Sequence, residues 1–324
     1  MRSEIEGYVR DLRINPDVAE ATHDKRYYDV KSFDTWLTDN DVQTPLTELK
    51  PSTVRSYLMQ QKQQFSGNTV GKRYDSLNEL FSYVLIDYPE KDSPLKPLKP
   101  KDFIPGRNDQ TQEEQAREEK NLPWHITEQE YRMLLDNCRG PIVRNRCILS
   151  LLYHCGLRAG EVRELKFKHI ELKDQIITVP KVKTPERYVP LLASTANLLD
   201  KYLNHGYRGA LENEDKTNDW LFISDQGNKL NTFLVNDMVR AAASKAGIQE
   251  VLYEDASGAK RYHIHPHLLR HTFGQRMANE RQMPIPVLMK IMGHLDMETA
   301  QQYQRQNDKD AAESAKRFMR LSDD

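Results

Sequence analysis

The chain has 324 residues, 38% hydrophobic and 29% charged, with a formal net charge of −1. That balance excludes a disordered chain and fits a soluble globular protein, and the length favours two domains. No apolar run is long enough to cross a bilayer, the first residues carry no apolar export signal, and a cytoplasmic location is expected.

Residues 22–40 place Tyr27, Val30, Phe33, Trp36 and Leu37 at helical spacing. Residues 52–64 and 69–88 repeat the pattern. Pro51 stands where a first helical turn tolerates it, and Pro89 where a helix should stop. The tract at 94–101 has proline at 94, 97 and 100 and predicts an extended piece. Residues 108–120 are charged and rich in Gln and Glu, which predicts a linker, either flexible or a solvated helix. The expected organisation is a helical N-terminal domain over 1–107, a linker over 108–122 and a second domain over 123–324.

The second domain opens with Thr127-Glu128-Gln129-Glu130, a capping box heading a helix that carries Tyr131, Leu134 and Leu135. Residues 143–154 form a strongly apolar helix, closed by Gly156. Residues 175–180 and 187–191 read as a β-hairpin, and 220–223 and 251–265 as short extended pieces. Helices follow at 232–246, 267–280, 286–292, 297–305 and 310–319. The fold class is therefore mainly α with a small antiparallel β-sheet. Three cysteines (Cys138, Cys147, Cys155) without paired short spacing fit reduced, buried thiols.

Four segments hold residues that phosphoryl transfer can use. Arg158 lies in a turn between two helices, where its planar fork can hold two phosphate oxygens, and Glu161 can orient it. Lys181 and Lys183 lie on the hairpin turn, from which a lysine can donate a proton to a leaving oxygen. His267 and Arg270 share a helix face at i and i+3. Gly293-His294 precedes a short helix carrying Tyr303. Each residue alone has an ordinary reading: a helix-end cation, a core aromatic, a solvated turn lysine. Their joint occurrence in this order is what makes the ordinary reading improbable.

That ordered set, with a nine-residue step from His294 to Tyr303, resembles the tyrosine recombinases, or phage integrases. The resemblance covers residues 123–320 as a catalytic domain, with the N-terminal helices placed like the family's core-binding domain. It implies that Tyr303 attacks a scissile phosphate and forms a 3′-phosphotyrosyl bond, releasing a 5′-hydroxyl. Arg158 and Arg270 would neutralise the non-bridging oxygens. A hairpin lysine would protonate the leaving oxygen, and Lys181 is preferred to Lys183 because it directly follows the strand. His267 would take the tyrosine proton and His294 would bond the phosphate.

The implied partner is double-stranded DNA bearing specific recombination sites. The implied assembly is a tetramer on DNA, in which the apolar stripe of helix 310–319 docks on a neighbouring subunit. No membrane or small-molecule partner is expected. No phosphate-cradling loop ending in Gly-Lys-Ser/Thr is present, so ATP use is not expected. His263, His265 and His267 alternate, but Pro266 interrupts them and no carboxylate or cysteine completes a site, so neither a metal nor another cofactor is expected. The competing functions are type IB topoisomerase-like relaxation and a non-catalytic DNA-binding protein of the same fold. From residue 256 to 320 eleven Lys or Arg face six Asp or Glu, so the basic excess is regional despite the balanced total.

Overall fold

The computed structural model describes residues 2–15, 20–65, 67–103, 112–182, 184–212, 219–254 and 258–293. Contacts divide the chain into two compact units. One runs to Lys120 and includes Tyr253–Arg261; the other comprises Asn121–Leu252 and the chain from Tyr262 onward.

The first unit is helical: α1 (Ser3–Ile14), α2 (Glu20–Asp39), α3 (Pro51–Gln64) and α4 (Gly67–Val84). Their periodic apolar residues meet in one core around Phe33, which packs edge-on against Tyr57 and Phe81 at centroid distances of 5.0 and 6.2 Å. Pro51 occupies the first turn of α3, where no amide partner is needed.

One segment differs from its sequence reading, and a second takes one of its two expected forms. The proline-rich tract folds into turns and a short 3-10 helix at Pro100–Asp102 instead of extending. Leu95 and Phe103 at either end are buried in the core, and the Tyr74 hydroxyl donates to the Leu98 carbonyl at 3.0 Å. Within the expected linker, α5 (Gln112–Glu119) is a helix with one buried side. Arg117 is buried there and donates to Glu113 one turn earlier at 2.8 Å.

The second unit builds on α7 (Ile142–His154), preceded by α6 (Glu128–Asp136). Thr127 closes both halves of the capping box with Glu130, at 3.2 and 2.7 Å. Apolar on nearly every side, α7 is surrounded by its neighbours and buries Cys147, Leu149, Leu151, Leu152 and Tyr153 completely. Tyr131 of α6 stacks on Tyr153 at 3.8 Å. All three cysteines are free and buried, and burial pushes the thiols of Cys138 and Cys155 up to about 11 and about 12, so both are protonated at neutral pH.

After α8 (Ala159–Glu164) come β1 (Ile170–Glu171), β2 (Ile176–Val179) and β3 (Arg187–Pro190), an antiparallel sheet in that order. The register pairs Ile177 with Val189 and Val179 with Arg187, so inward positions alternate along each strand. Arg187 therefore takes a core-facing position in phase with Val189. Then follow α9 (Ala193–Asn204), α10 (Thr232–Lys245), the two-stranded β4 (Val251–Glu254) and β5 (Lys260–Tyr262), and α11 (Pro266–Gln275). A π-helical turn at Arg276–Glu280 continues α11, and α12 (Ile285–Met292) is the last described helix. The helices expected at 297–305 and 310–319 lie outside the described residues.

Gly156 turns the chain from α7 toward α8 at φ +64°, and a Cβ there would stand 2.4 Å from Cδ1 of Phe273. Both the left-handed backbone and the contact exclude a side chain. Gly156→Ala is expected to lower the unfolding free energy by about 2–4 kcal/mol in a urea titration followed by circular dichroism. A loss below about 0.5 kcal/mol, ordinary for a surface substitution, would show that neither constraint holds.

Candidate active site

Arg158 is the N-cap residue of α8, directly after the Gly156 turn. Glu161 sits at the third helical position and reaches back, so its carboxylate accepts the Arg158 backbone N–H at 2.8 Å and Nη1 of the same residue at 2.9 Å. The carboxylate is 3% exposed. An isolated buried charge would be very costly, and it is tolerated here because arginines surround it.

The second arginine on Glu161 is Arg187, a residue that the ordered motifs did not single out. Its guanidinium donates from Nη1 and Nη2 to the two carboxylate oxygens, each at 2.9 Å, with both side chains almost fully buried. Thr184 donates to Glu161 at 3.5 Å and also accepts from Arg187 at 3.4 Å. A signal for Arg187 exists in the sequence: it is in strand phase with Val189 and Leu191, where an apolar residue is the default. Arg270 of α11 completes the cluster, with Nη1 3.9 Å from Glu161 Oε2. Burial alone would raise the Glu161 carboxyl. The Arg187 hydrogen bonds and charge, the Arg158 amide and the Arg270 charge together outweigh it and hold the group below its ordinary value of 4.5.

The same three arginines cap the end of α12. Arg187 Nε donates to the Ile291 carbonyl at 2.6 Å and Arg270 Nη2 to the Met292 carbonyl at 2.6 Å. Arg158 donates to Met292 and Gly293 at 3.5 and 3.4 Å. The last carbonyls of a helix lack intrahelical donors and carry its negative end, so three guanidiniums suit them. Arg270 is further pinned by a 2.5 Å bond to the Gly156 carbonyl. Arg158 is held more loosely by its long bonds, and its side chain is 35% exposed.

The remaining candidates are Lys181, Lys183, His267, His294 and Tyr303. His267 lies one turn before Arg270 on α11 and is exposed, whereas Arg270 is buried, so the shared face grades from surface to interior. Lys181 follows β2 after Pro180, is exposed, and makes no salt bridge among the described residues. It lines a pocket of about 300 Å³ with Lys166, Lys168, His169 and Trp220. Lys166 and Lys229 lie over the Trp220 ring at 4.6 and 3.8 Å and pair with Asp219 and Glu164. Lys183, His294 and Tyr303 lie outside the described residues. Among the described residues, no three His, Cys, Asp or Glu side chains are grouped so as to hold a metal ion, and no helix is long and apolar enough to cross a membrane.

Residues 125–310 match the phage integrase family. The chain is similar to the tyrosine recombinase XerC of Bacillus subtilis (strain 168), 21% identical over 300 residues that cover 91% of this chain and 89% of that protein. It is also similar to tyrosine recombinase XerC of Chlamydia trachomatis serovar L2, 26% identical over 297 residues covering 90% and 80%. Among solved structures, the Tn1549 transposon integrase in complex with transposon right end DNA superposes with a TM-score of 0.70 at 19% identity, covering 99% of this chain and 100% of that one. XerH site-specific recombinase bound to palindromic difH substrate, in a post-cleavage complex, gives 0.68 at 20% identity, covering 96% and 83%. At these identities the structural likeness is one of fold.

The Glu161 carboxyl gives a pH test. Its folded value lies below 4.5, so its contribution is fully present above that value and is lost as pH falls through it toward the folded value. Glu161→Gln is expected to cost about 3–5 kcal/mol at neutral pH, because it strands buried arginine charge. The gap between the two proteins should narrow in unfolding titrations below about pH 4.5. A gap independent of pH would mean that the carboxylate is not the charge stabilising the cluster.

Proposed function

The chain belongs to the phage integrase family and is a tyrosine site-specific recombinase, and we propose that it cleaves and rejoins duplex DNA at specific sites through a covalent bond to Tyr303. The observation that carries this reading is the convergence of Arg158 and Arg270, more than a hundred residues apart in sequence, on one buried carboxylate, with the Arg158 fork partly exposed. Three guanidiniums and one carboxylate leave the cluster with a net positive charge, which suits a phosphodiester whose negative charge grows toward the transition state.

In the proposed step the Tyr303 oxygen attacks phosphorus, the bond to the 5′-oxygen breaks, and a 3′-phosphotyrosyl linkage forms. His267 accepts the tyrosine proton and Lys181 supplies one to the leaving oxygen, while Arg158, Arg270 and His294 hold the non-bridging oxygens. Rejoining is the same step reversed by an incoming 5′-hydroxyl, so the bond energy is conserved and no nucleotide is consumed. With the arginine cluster and Lys181 supplying positive charge, the proposed chemistry asks for no divalent metal. The proposed setting is the cytoplasm, with four copies acting on two paired duplexes and the 310–319 segment as their link.

A nicked substrate that loses its 5′ fragment after cleavage traps the covalent intermediate. Tyr303→Phe should bind this DNA normally and yield no adduct. Arg158→Ala should retain Tyr303 adducts but form them more slowly by about 3–4 kcal/mol in barrier, roughly a hundred- to thousand-fold. An adduct on the Tyr303→Phe protein would place the nucleophile elsewhere and overturn the mechanism.

The proton donor is tested by the leaving group. Sulfur in place of the bridging 5′-oxygen departs without protonation, so it should restore a variant lacking the acid and no other. Lys181→Ala should be slow on ordinary DNA and recover on the thio-substituted strand, Lys183→Ala should be mildly impaired on both, and Arg158→Ala should stay slow on both. Recovery of Lys183→Ala alone would exchange the two lysines, and recovery of neither would remove the hairpin from the acid role.

A further inference from the structure

We infer that Arg187 is a positioning residue for strand cleavage: it occupies both oxygens of the Glu161 carboxylate and ties the last turn of α12 to it, which keeps Arg270 from being drawn onto the carboxylate and Arg158 from being held there by more than one Nη group. This inference rests on the recombinase reading above and concerns a residue outside the motif set that defined it.

The first argument is a count of acceptor sites. A carboxylate offers about four lone-pair positions. On Glu161 they are taken by the Arg158 N–H, Arg158 Nη1, and the two Nη groups of Arg187, at 2.8 to 2.9 Å, with the Thr184 hydroxyl a more distant fifth donor at 3.5 Å. Arg270 is left at 3.9 Å, outside hydrogen-bond distance, and is oriented instead by the carbonyls of Gly156 and Met292. Remove Arg187 and two acceptor positions open beside the other two guanidiniums. The carboxylate then draws Arg270 in or binds Arg158 through a second Nη group, and guanidinium charge intended for the phosphate is neutralised inside the protein.

The second argument is geometric. Arg187 spans from Glu161 to the Ile291 carbonyl, so the carboxylate on α8 and the end of α12 are joined through one rigid plane. Gly293, which follows α12 at φ +64°, has the guanidinium 3.0 Å from where a Cβ would stand. His294 is the next residue in the chain, so the latch fixes the backbone from which the phosphate-contacting and nucleophilic segment departs. A lysine carries the charge but cannot fill two carboxylate oxygens and a carbonyl from one plane.

The experiment uses the full chain on the trapping substrate, comparing adduct rate, DNA affinity and melting temperature. Arg187→Met should bind DNA within about two-fold of the parent and form adduct at least about a hundred-fold more slowly. Adding Glu161→Gln should return at least about ten-fold of that rate, because the carboxylate that captures the neighbouring arginines is gone; a purely structural support would not be rescued by a second lesion in the same cluster. Arg187→Lys should fall between, and it carries the test if Arg187→Met does not fold. Parental adduct rate in whichever of these variants folds, or a double variant no faster than Arg187→Met, would overturn the inference. Failure of the parent chain to form an adduct would instead overturn the recombinase mechanism, so the two failures are distinguishable.

Discussion

The Glu161 carboxylate is the constraint around which the second unit is arranged. A charge that is 3% exposed has lost nearly all of its hydration, and only several matched donors make that burial tolerable. The donors come from the N-cap of α8 and from β3, and Arg270 of α11 adds its charge at 3.9 Å, so the sheet edge and two helices are held in one relation by a single anion. The direction of its ionisation agrees with this, since the arginines hold the group charged despite its burial.

The arrangement also answers what the end of α12 requires. Its final carbonyls have no helical donors, and the arginines that surround Glu161 supply them. Capping a helix and surrounding a buried carboxylate are thus achieved by the same side chains. They differ in how tightly they are held: Arg270 is pinned by bonds of 2.5 and 2.6 Å, while Arg158 makes long carbonyl contacts and faces partly outward. In the proposed reaction the rigid donor would be preorganised for charge that appears at the phosphate, and the looser one would exchange a carbonyl for it. The two glycines at these junctions, Gly156 and Gly293, are needed because each combines a left-handed backbone with a side chain pressed against the Cβ position.

The near-zero net charge of the chain illustrates why bulk charge is a poor guide to a nucleic-acid partner. Many basic residues are spent internally: Arg117, Arg144, Arg187 and Arg208 are buried and bonded to carboxylates or carbonyls. The charge that matters for a phosphodiester is set by which guanidiniums are left incompletely neutralised, and that is a property of packing.

Much of this protein was readable from its sequence. Helical spacing located α2, α3, α4, α7, α10 and α12, the Thr127 capping box marked the start of α6, and alternation around a polar turn marked the β2–β3 hairpin. Those signals are local, since a helix face or a strand face repeats within a few residues. The order of Arg158, the hairpin lysines, His267, Arg270, His294 and Tyr303 indicated the family, because it preserves a chemistry along the chain. Other features were decided only in three dimensions. Residues 94–101 read as extended from their prolines, yet burial of Leu95 and Phe103 folded them into turns. Arg187 was visible as a charge in an apolar phase, but nothing in its spacing named Glu161, 26 residues away, as its partner. Nor could spacing predict that Arg270 would reach the Gly156 carbonyl, 114 residues earlier, or that Arg158 would meet the end of α12. Periodicity reports which side of an element is buried, whereas the partner of a buried charge depends on which elements the core brings together, and that is determined by the packing of the whole unit.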